Sequence, residues 1–202
     1  MGPAIGAPRE TARGEVRALL TPATVKYLRE QGFVTHAEHG YGEAVGHSDG
    51  EYEAAGAVLC DRRCAWDCPV ILKYKAPIPE EFQRFVAGRI VAAIFHAEGD
   101  RALTEALVRT GVTAYSFEFF EDDQGDFPLM AAGGAIAGHQ AVLFASYHLQ
   151  RQHGGRGILL SHTGDFASRA QVLVIGSGHV GSAAADIASR MGAEVTVLCS
   201  NE

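Results

Sequence analysis

Three basic or titratable side chains stand where a folded α/β chain would aim them at a ligand. Arg17 lies in the polar loop after the apolar run Ala4 to Ala7, Lys75 follows the run Val70 to Lys73 and precedes Pro77, and His96 follows the run Ile90 to Phe95. An arginine fork matches a carboxylate bidentately and a lysine supplies a compact point charge, so Arg17 and Lys75 together can clamp a carboxylate. An imidazole exchanges protons near neutral pH, which suits His96 to general acid/base work. Each also has a plainer reading: Arg17 on a solvated loop, Lys75 as a strand-end charge, His96 as a hydrogen-bonded structural histidine.

A second kind of chemistry is written further along. The run Val172 to Ile175 leads into Gly176-Ser177-Gly178-His179-Val180-Gly181, then an alanine-rich stretch Ala183 to Met191, then the run Glu194 to Leu198. This is the pattern of a strand, a glycine turn, a helix and a second strand that opens a Rossmann-type dinucleotide-binding domain. Gly176 makes the turn, Gly178 lets the backbone approach a pyrophosphate, and Gly181 lets the helix pack on the strand, with Ser177 and Val180 beside the phosphates. In a chain with 24 glycines the motif alone is weak, and the flanking strands supply its context.

An NAD site has a carboxylate at the end of the second strand, whereas this chain has Cys199-Ser200-Asn201 there. That favours a 2′-phosphate or weaker binding, and Ser200 or Asn201 can hydrogen-bond a phosphate, but no arginine follows. NAD and NADP therefore both stay open. Only two nucleotide-domain strands precede Glu202, so this part reads as an incomplete domain, either a fragment or one subunit of a split enzyme.

Metal chemistry is not expected. Cys60, Cys64 and Cys68 recur at helical spacing, and three thiolates on one face can hold a metal, but a closed zinc site needs a fourth ligand and usually shows C-x2-C spacing. The expectation is reduced thiols on a short helix before the strand at Val70. His36 and His39 are expected to be a solvated pair.

The elements that must position these residues alternate. Thr21-Pro22 starts a helix that Gly32 ends, Ser48 and Glu51 form a capping box, and Asp100 caps a helix that Gly111 terminates. Short apolar runs at 4–7, 33–38, 70–73, 90–95 and 112–117 lie between these helices, the rhythm of a mainly parallel sheet. A helix over Ala135 to Gln150 and the polar loop Gln152 to Ser168 connect the two patterns. The expected organisation is an α/β substrate domain over 1–132, a connecting helix and loop over 133–168, and the incomplete nucleotide domain over 169–202, with a cleft between domains.

The formal charge of −7 argues against nucleic acid or anionic membrane as partners. No run approaches the roughly 18 apolar residues of a membrane span and the N-terminus lacks a leader pattern, so a cytoplasmic protein is expected.

The run Ile5-Gly6-Ala7-Pro8-Arg9-Glu10, the segments Glu15 to Pro22 and Ile71 to Pro77, the strand ending at His96, Gly154-Gly155-Arg156-Gly157 and the motif Gly176 to Gly181 together resemble the alanine dehydrogenase and pyridine-nucleotide transhydrogenase family. His96 and Lys75 place the chain nearer alanine dehydrogenase. The resemblance implies that Arg17 and Lys75 bind the carboxylate and oxo group of a 2-oxo acid, that His96 is the general acid/base, and that the reaction is reversible oxidative deamination of an L-amino acid with a nicotinamide cofactor. Two departures stand out: Gly133-Gly134-Ala135 replaces a Met-Ser-Glu segment, and Ala76 replaces a glutamate after the lysine. These can enlarge the pocket or record a lost activity, so the alternative is a non-catalytic binding or assembly module. An uncovered sheet edge favours a homo-oligomer or a second chain in either case.

Overall fold

The computed structural model describes residues 2–164 and 168–200. It divides into two compact units, Met1–Phe119 and Phe120–Glu202. Asn201, one of the two polar residues expected near a phosphate, lies outside the described residues.

The first unit is built on strands β1 (Ala4–Ala7), β2 (Val34–Glu38), β3 (Val58–Cys60), β4 (Val70–Lys75), β5 (Ile90–Ile94) and β6 (Thr113–Ser116). They form one sheet in the order β3-β2-β1-β4-β5-β6, and every neighbouring pair is parallel. Helices α1 (Pro22–Glu30), α2 (Asp49–Ala55), α3 (Arg62–Trp66) and α4 (Arg101–Thr110) make the crossovers. Alternate residues of one strand enter different cores. Ile71 packs with Trp66, Val91 and Leu103, while Val70 and Leu72 pack with Ile5, Val25 and Tyr52. This two-sided burial explains the short, near-continuous apolar runs and is the mainly parallel α/β architecture expected from the sequence.

The helix ends follow from capping chemistry. Thr21 accepts from the Thr24 amide with Pro22 at the first helical position, Ser48 and Glu51 complete a reciprocal capping box, and Asp100 accepts from Leu103 ahead of α4. Gly111 then ends α4 at φ 67°.

Three local readings are corrected. The cysteines do not share a helix: Cys60 closes β3, Cys64 lies in α3, and Cys68 follows α3 in the turn before β4. A three-residue strand gives too little periodicity to be seen in the sequence. Lys75 is the last residue of β4 rather than a residue after it. Of the expected solvated pair, His39 is exposed and faces Asp49, but His36 is half-buried beside Cys64.

The second unit contains α5 (Pro128–Leu149), β7 (Gln171–Ile175), α6 (His179–Arg190) and β8 (Glu194–Leu198). β7 and β8 pair in parallel along five residues. α5 begins seven residues earlier than expected, so Gly133-Gly134-Ala135 lies inside it. There the glycines allow close helix packing: a Cβ on Gly138 would sit 2.4 Å from the Val180 carbonyl oxygen, and one on Gly134 would sit 2.7 Å from His179 Cβ. With 22 residues, α5 is long and apolar enough to cross a membrane by length and composition, although no continuous apolar run announces it. Its glycines, His139 and Gln140 break that run, and Gly134, Gly138 and Val142 are its buried residues.

A candidate active site at the switch point of the parallel sheet

The strand order reverses between β1 and β4. In such sheets the loops leaving the carboxyl ends of the two strands part in opposite directions, which opens a crevice for ligands. Glu10 follows β1 there and turns back onto β4. Its Oε1 accepts from the Tyr74 amide at 2.7 Å and from the Lys75 amide at 3.4 Å. Its Oε2 lies 3.0 Å from Lys73 Nζ, an ion pair off hydrogen-bond alignment, and Lys73 is 1% exposed. Lys73 also reaches Glu81 at 3.5 Å, Glu81 is tightly paired with Arg62, and Arg62 meets Glu38 at 3.1 Å. Burial raises the Glu10 carboxyl pKa by more than Lys73 and the two backbone donors lower it. The network fixes the backbone from which Lys75 leaves the sheet.

Lys75 and His96 meet. Lys75 Nζ is 3.1 Å from His96 Nε2, and His96 Nδ1 is 2.8 Å from Glu118 Oε1. An ammonium has no acceptor, so the Lys75 contact requires a lone pair on Nε2 and places the ring proton on Nδ1, donated to Glu118. Glu118 is itself held by the Phe95 and His96 amides at 2.8 and 2.9 Å and by a short hydrogen bond from Ser116 Oγ. Burial alone would raise the Glu118 carboxyl, but the donors from Ser116, Phe95 and His96, with the imidazole beside it, bring its pKa below the ordinary carboxylate value. His96 has φ 47° and is the one non-glycine residue with positive φ among the described residues. That conformation is uncommon for a side-chain-bearing residue and is held here by the contacts on both ring nitrogens and on its own amide.

Arg17 stands apart from this pair. Its Nε and Nη2 donate to Glu15 at 2.8 and 2.5 Å, its Nη1 donates to Tyr74 Oη at 2.8 Å, and the guanidinium lies 3.9 Å over the Tyr74 ring. The Arg17 hydrogen bonds hold the Glu15 carboxyl down to about 2. Arg17 therefore reaches the Lys75 neighbourhood through Tyr74, and it can take up another carboxylate only by exchanging Glu15. A small cavity of about 70 Å³ borders Arg17, Glu10, Glu15 and Tyr41.

Glu118 was missed by sequence reading. Residues 112–117 read as strand with no role given to the carboxylate just beyond it; β6 ends at Ser116, and Glu118 follows at the carboxyl end next to β5. A carboxylate just past the strand that neighbours the His96 strand was the available signal.

In the second unit the glycine turn has the shape its spacing implies. Gly176 follows β7 at φ 102°, and a Cβ on Gly181 would lie 2.0 Å from the Gly176 carbonyl oxygen, so α6 rests directly on the turn. A Cβ on Gly178 would meet nothing within 4 Å, and Gly178 caps α6 without a side-chain hydrogen bond. That leaves open space in front of the first-turn amides, which suits a pyrophosphate. Ser177 accepts from Ser182 Oγ at 2.8 Å through its carbonyl, Val180 is about half exposed, and Ser200 is exposed beyond β8. A wider groove of about 960 Å³ runs along β7, lined mainly by apolar residues such as Val142, Leu160, Val172 and Ala184. It carries none of the groups gathered around His96.

Residues 6–137 match the alanine dehydrogenase/PNT N-terminal domain, and residues 141–202 match the C-terminal domain of the same family. The chain belongs to the alanine dehydrogenase/PNT family. It is 39% identical over 197 residues to an alanine dehydrogenase of Mycobacterium tuberculosis, covering 96% of this chain and 53% of that protein. An alanine dehydrogenase of Bacillus subtilis is 35% identical, with 96% and 51% covered. Among solved structures, an L-alanine dehydrogenase superposes with a TM-score of 0.88 at 31% identity, covering 98% of this chain and 61% of that one. A transhydrogenase from Sinorhizobium meliloti gives 0.81 at 26% identity, covering 98% and 57%. The chain spans about half the length of the curated relatives it matches. In this member of the alanine dehydrogenase/PNT family, Lys75, His96 and Glu118 all lie within the N-terminal match, and the glycine turn lies within the C-terminal one.

Proposed function

We propose that the chain carries the substrate-binding and proton-transfer part of an alanine-dehydrogenase-like oxidoreductase that interconverts an L-amino acid and a 2-oxo acid. The observation that carries this reading is the Lys75, His96 and Glu118 array, in which a cation, an imidazole whose Nε2 lone pair faces that cation and a half-buried carboxylate are brought together. Lys75 places positive charge against a carbonyl oxygen or carboxylate, stabilising the charge that develops there. As Lys75 turns from Nε2 to the substrate oxygen, His96 takes a proton at Nε2 from the water that attacks the imine and returns it in the reverse direction, while Glu118 keeps the ring in the required tautomer. Arg17 adds a second cation, oriented by Tyr74 and open to a substrate carboxylate once Glu15 is exchanged.

The cofactor proposed is NAD or NADP, which when bound accepts or returns the hydride of the substrate α-carbon. Gly176, Ser177, Gly178, Val180 and Gly181 would hold its pyrophosphate, with Ser200 toward the ribose. The protein is proposed to act as an oligomer or with a further chain, because among the described residues β7 and β8 pair only with each other. The domain division proposed follows the sequence: substrate domain over 1–132, connector over 133–168, nucleotide domain from 169.

Calorimetric titration with 2-oxo acids, from pyruvate upward in side-chain length, tests the substrate site without requiring turnover. Wild type is expected to bind at least one of them, and Lys75→Ala to weaken that binding by about 10- to 100-fold, the worth of a hydrogen bond to a charged group. Equal binding by the variant would overturn the assignment.

A further inference from the structure

Away from the Lys75 site, β2, β3 and α3 bring three soft ligands together. His36 Nδ1 lies 3.6 Å from Cys64 Sγ, and the ligand atoms of His36, Cys60 and Cys64 all fall within 4.8 Å of one another. The placement follows from the fold. His36 pairs with Val58 across the β2 and β3 ladder, Cys60 closes β3 two residues later, and Asp61 caps α3 so that Cys64 sits in its first turn. All three residues are half-buried. Burial, with Cys64 next to it, pushes the Cys60 thiol up to about 12.

Cys68, the third thiol of the helical spacing, belongs elsewhere. It is buried among Trp66 and Ile71, and its Sγ faces the Cys64 carbonyl at 3.7 Å. Tetrahedral zinc with Zn–S of about 2.3 Å and Zn–N of about 2.05 Å has a sulfur-to-nitrogen edge of roughly 3.6 Å. The His36 and Cys64 separation has that length.

We propose that His36, Cys60 and Cys64 form a three-ligand site for a thiophilic closed-shell cation such as Zn²⁺, with the fourth position taken by water. On binding, the two thiols release their protons to solvent and form two metal–sulfur bonds, the imidazole donates its Nδ1 lone pair, and nothing is oxidised or reduced. The metal ties the turn between β3 and α3 to β2. Arg62 lies between the two cysteine ligands and holds Glu38 and Glu81, so the same turn braces the ion network beneath Lys73.

The test is equilibrium dialysis of the full chain against Zn²⁺ in a Cys199→Ser background, which removes the exposed thiol. One equivalent of retained zinc is expected, and Co²⁺ in its place is expected to show thiolate-to-cobalt charge-transfer absorption. His36→Ala and Cys64→Ser are each expected to lower affinity by more than the roughly 10- to 100-fold that loss of a supporting residue costs. Cys68→Ser is expected to leave stoichiometry and cobalt spectrum unchanged. No retained zinc, a cobalt spectrum without thiolate bands, or undiminished affinity in His36→Ala would overturn the proposal. The cobalt spectrum is read on the parent chain, so it decides even where a variant fails to fold.

Discussion

His96 occupies a left-handed backbone conformation, and Glu118 is the group that holds it there from three directions: two backbone amides and the ring Nδ1. Glu118→Gln keeps the shape but removes the charge. It is expected to lower the rate of proton-dependent turnover by at least about 10-fold, below the roughly 100-fold lower end for a group that transfers the proton itself, because Glu118 acts through His96. Because its folded-state pKa lies below the ordinary value of 4.5, ionised Glu118 contributes stability that is present above pH 4.5 and is lost as pH falls through the lowered value. Wild type is therefore expected to be more stable than Glu118→Gln at neutral pH, with the gap closing on acidification. Denaturant melts across that range check it, and a gap independent of pH would contradict the assignment. Lys75 and His96 were legible in the sequence because each stands at the end of an apolar run, where a parallel sheet collects ligand-binding groups. Glu118 was not, because its role depends on β6 lying beside β5. Glu15 was overlooked although it is two residues from Arg17, and its grip on the guanidinium is a property of the loop's fold rather than of residue type.

At the scale of elements, caps and glycine stops gave the helix boundaries in the first unit, since Thr21, Ser48, Asp100 and Gly111 act through neighbours within a few residues. β3 and the start of α5 escaped for the opposite reason, being defined by pairing and packing partners distant in sequence. The glycines of α5 illustrate this. Gly133 and Gly138 are both helical, but a Cβ on Gly133 meets nothing within 4 Å whereas one on Gly138 meets the Val180 carbonyl oxygen at 2.4 Å. Gly133→Ala is expected to stabilise the second unit by about 0.5–1 kcal/mol through helix propensity. Gly138→Leu is expected to destabilise it by about 1–3 kcal/mol, since helix backbone must move aside. Denaturant unfolding followed by circular dichroism separates the two, and equal effects of the same sign would refute the packing account.

The whole molecule joins two units whose sheets are covered to different degrees. Among the described residues the first has six strands with side chains buried on both faces of the sheet, while the second has two strands that leave Leu173, Ile175 and Leu198 more than half exposed. Two-stranded sheets are marginal unless another layer covers them, and α6 supplies a layer by packing Ala184 and Ala188 with Val172 of β7 and Val195 of β8. Local opening free energy follows the density of buried contacts, so amide hydrogen exchange is expected to resolve two classes. Amides of β1, β4 and β5 should exchange at the slow limit set by unfolding of the first unit, and those of β7 and β8 at least about tenfold faster, a gap of 1.4 kcal/mol or more. Uniform protection across both sheets would mean that β7 and β8 are covered in solution by another chain. Repeating the exchange at several protein concentrations decides this, because protection supplied by a second copy rises with concentration and intrinsic protection does not.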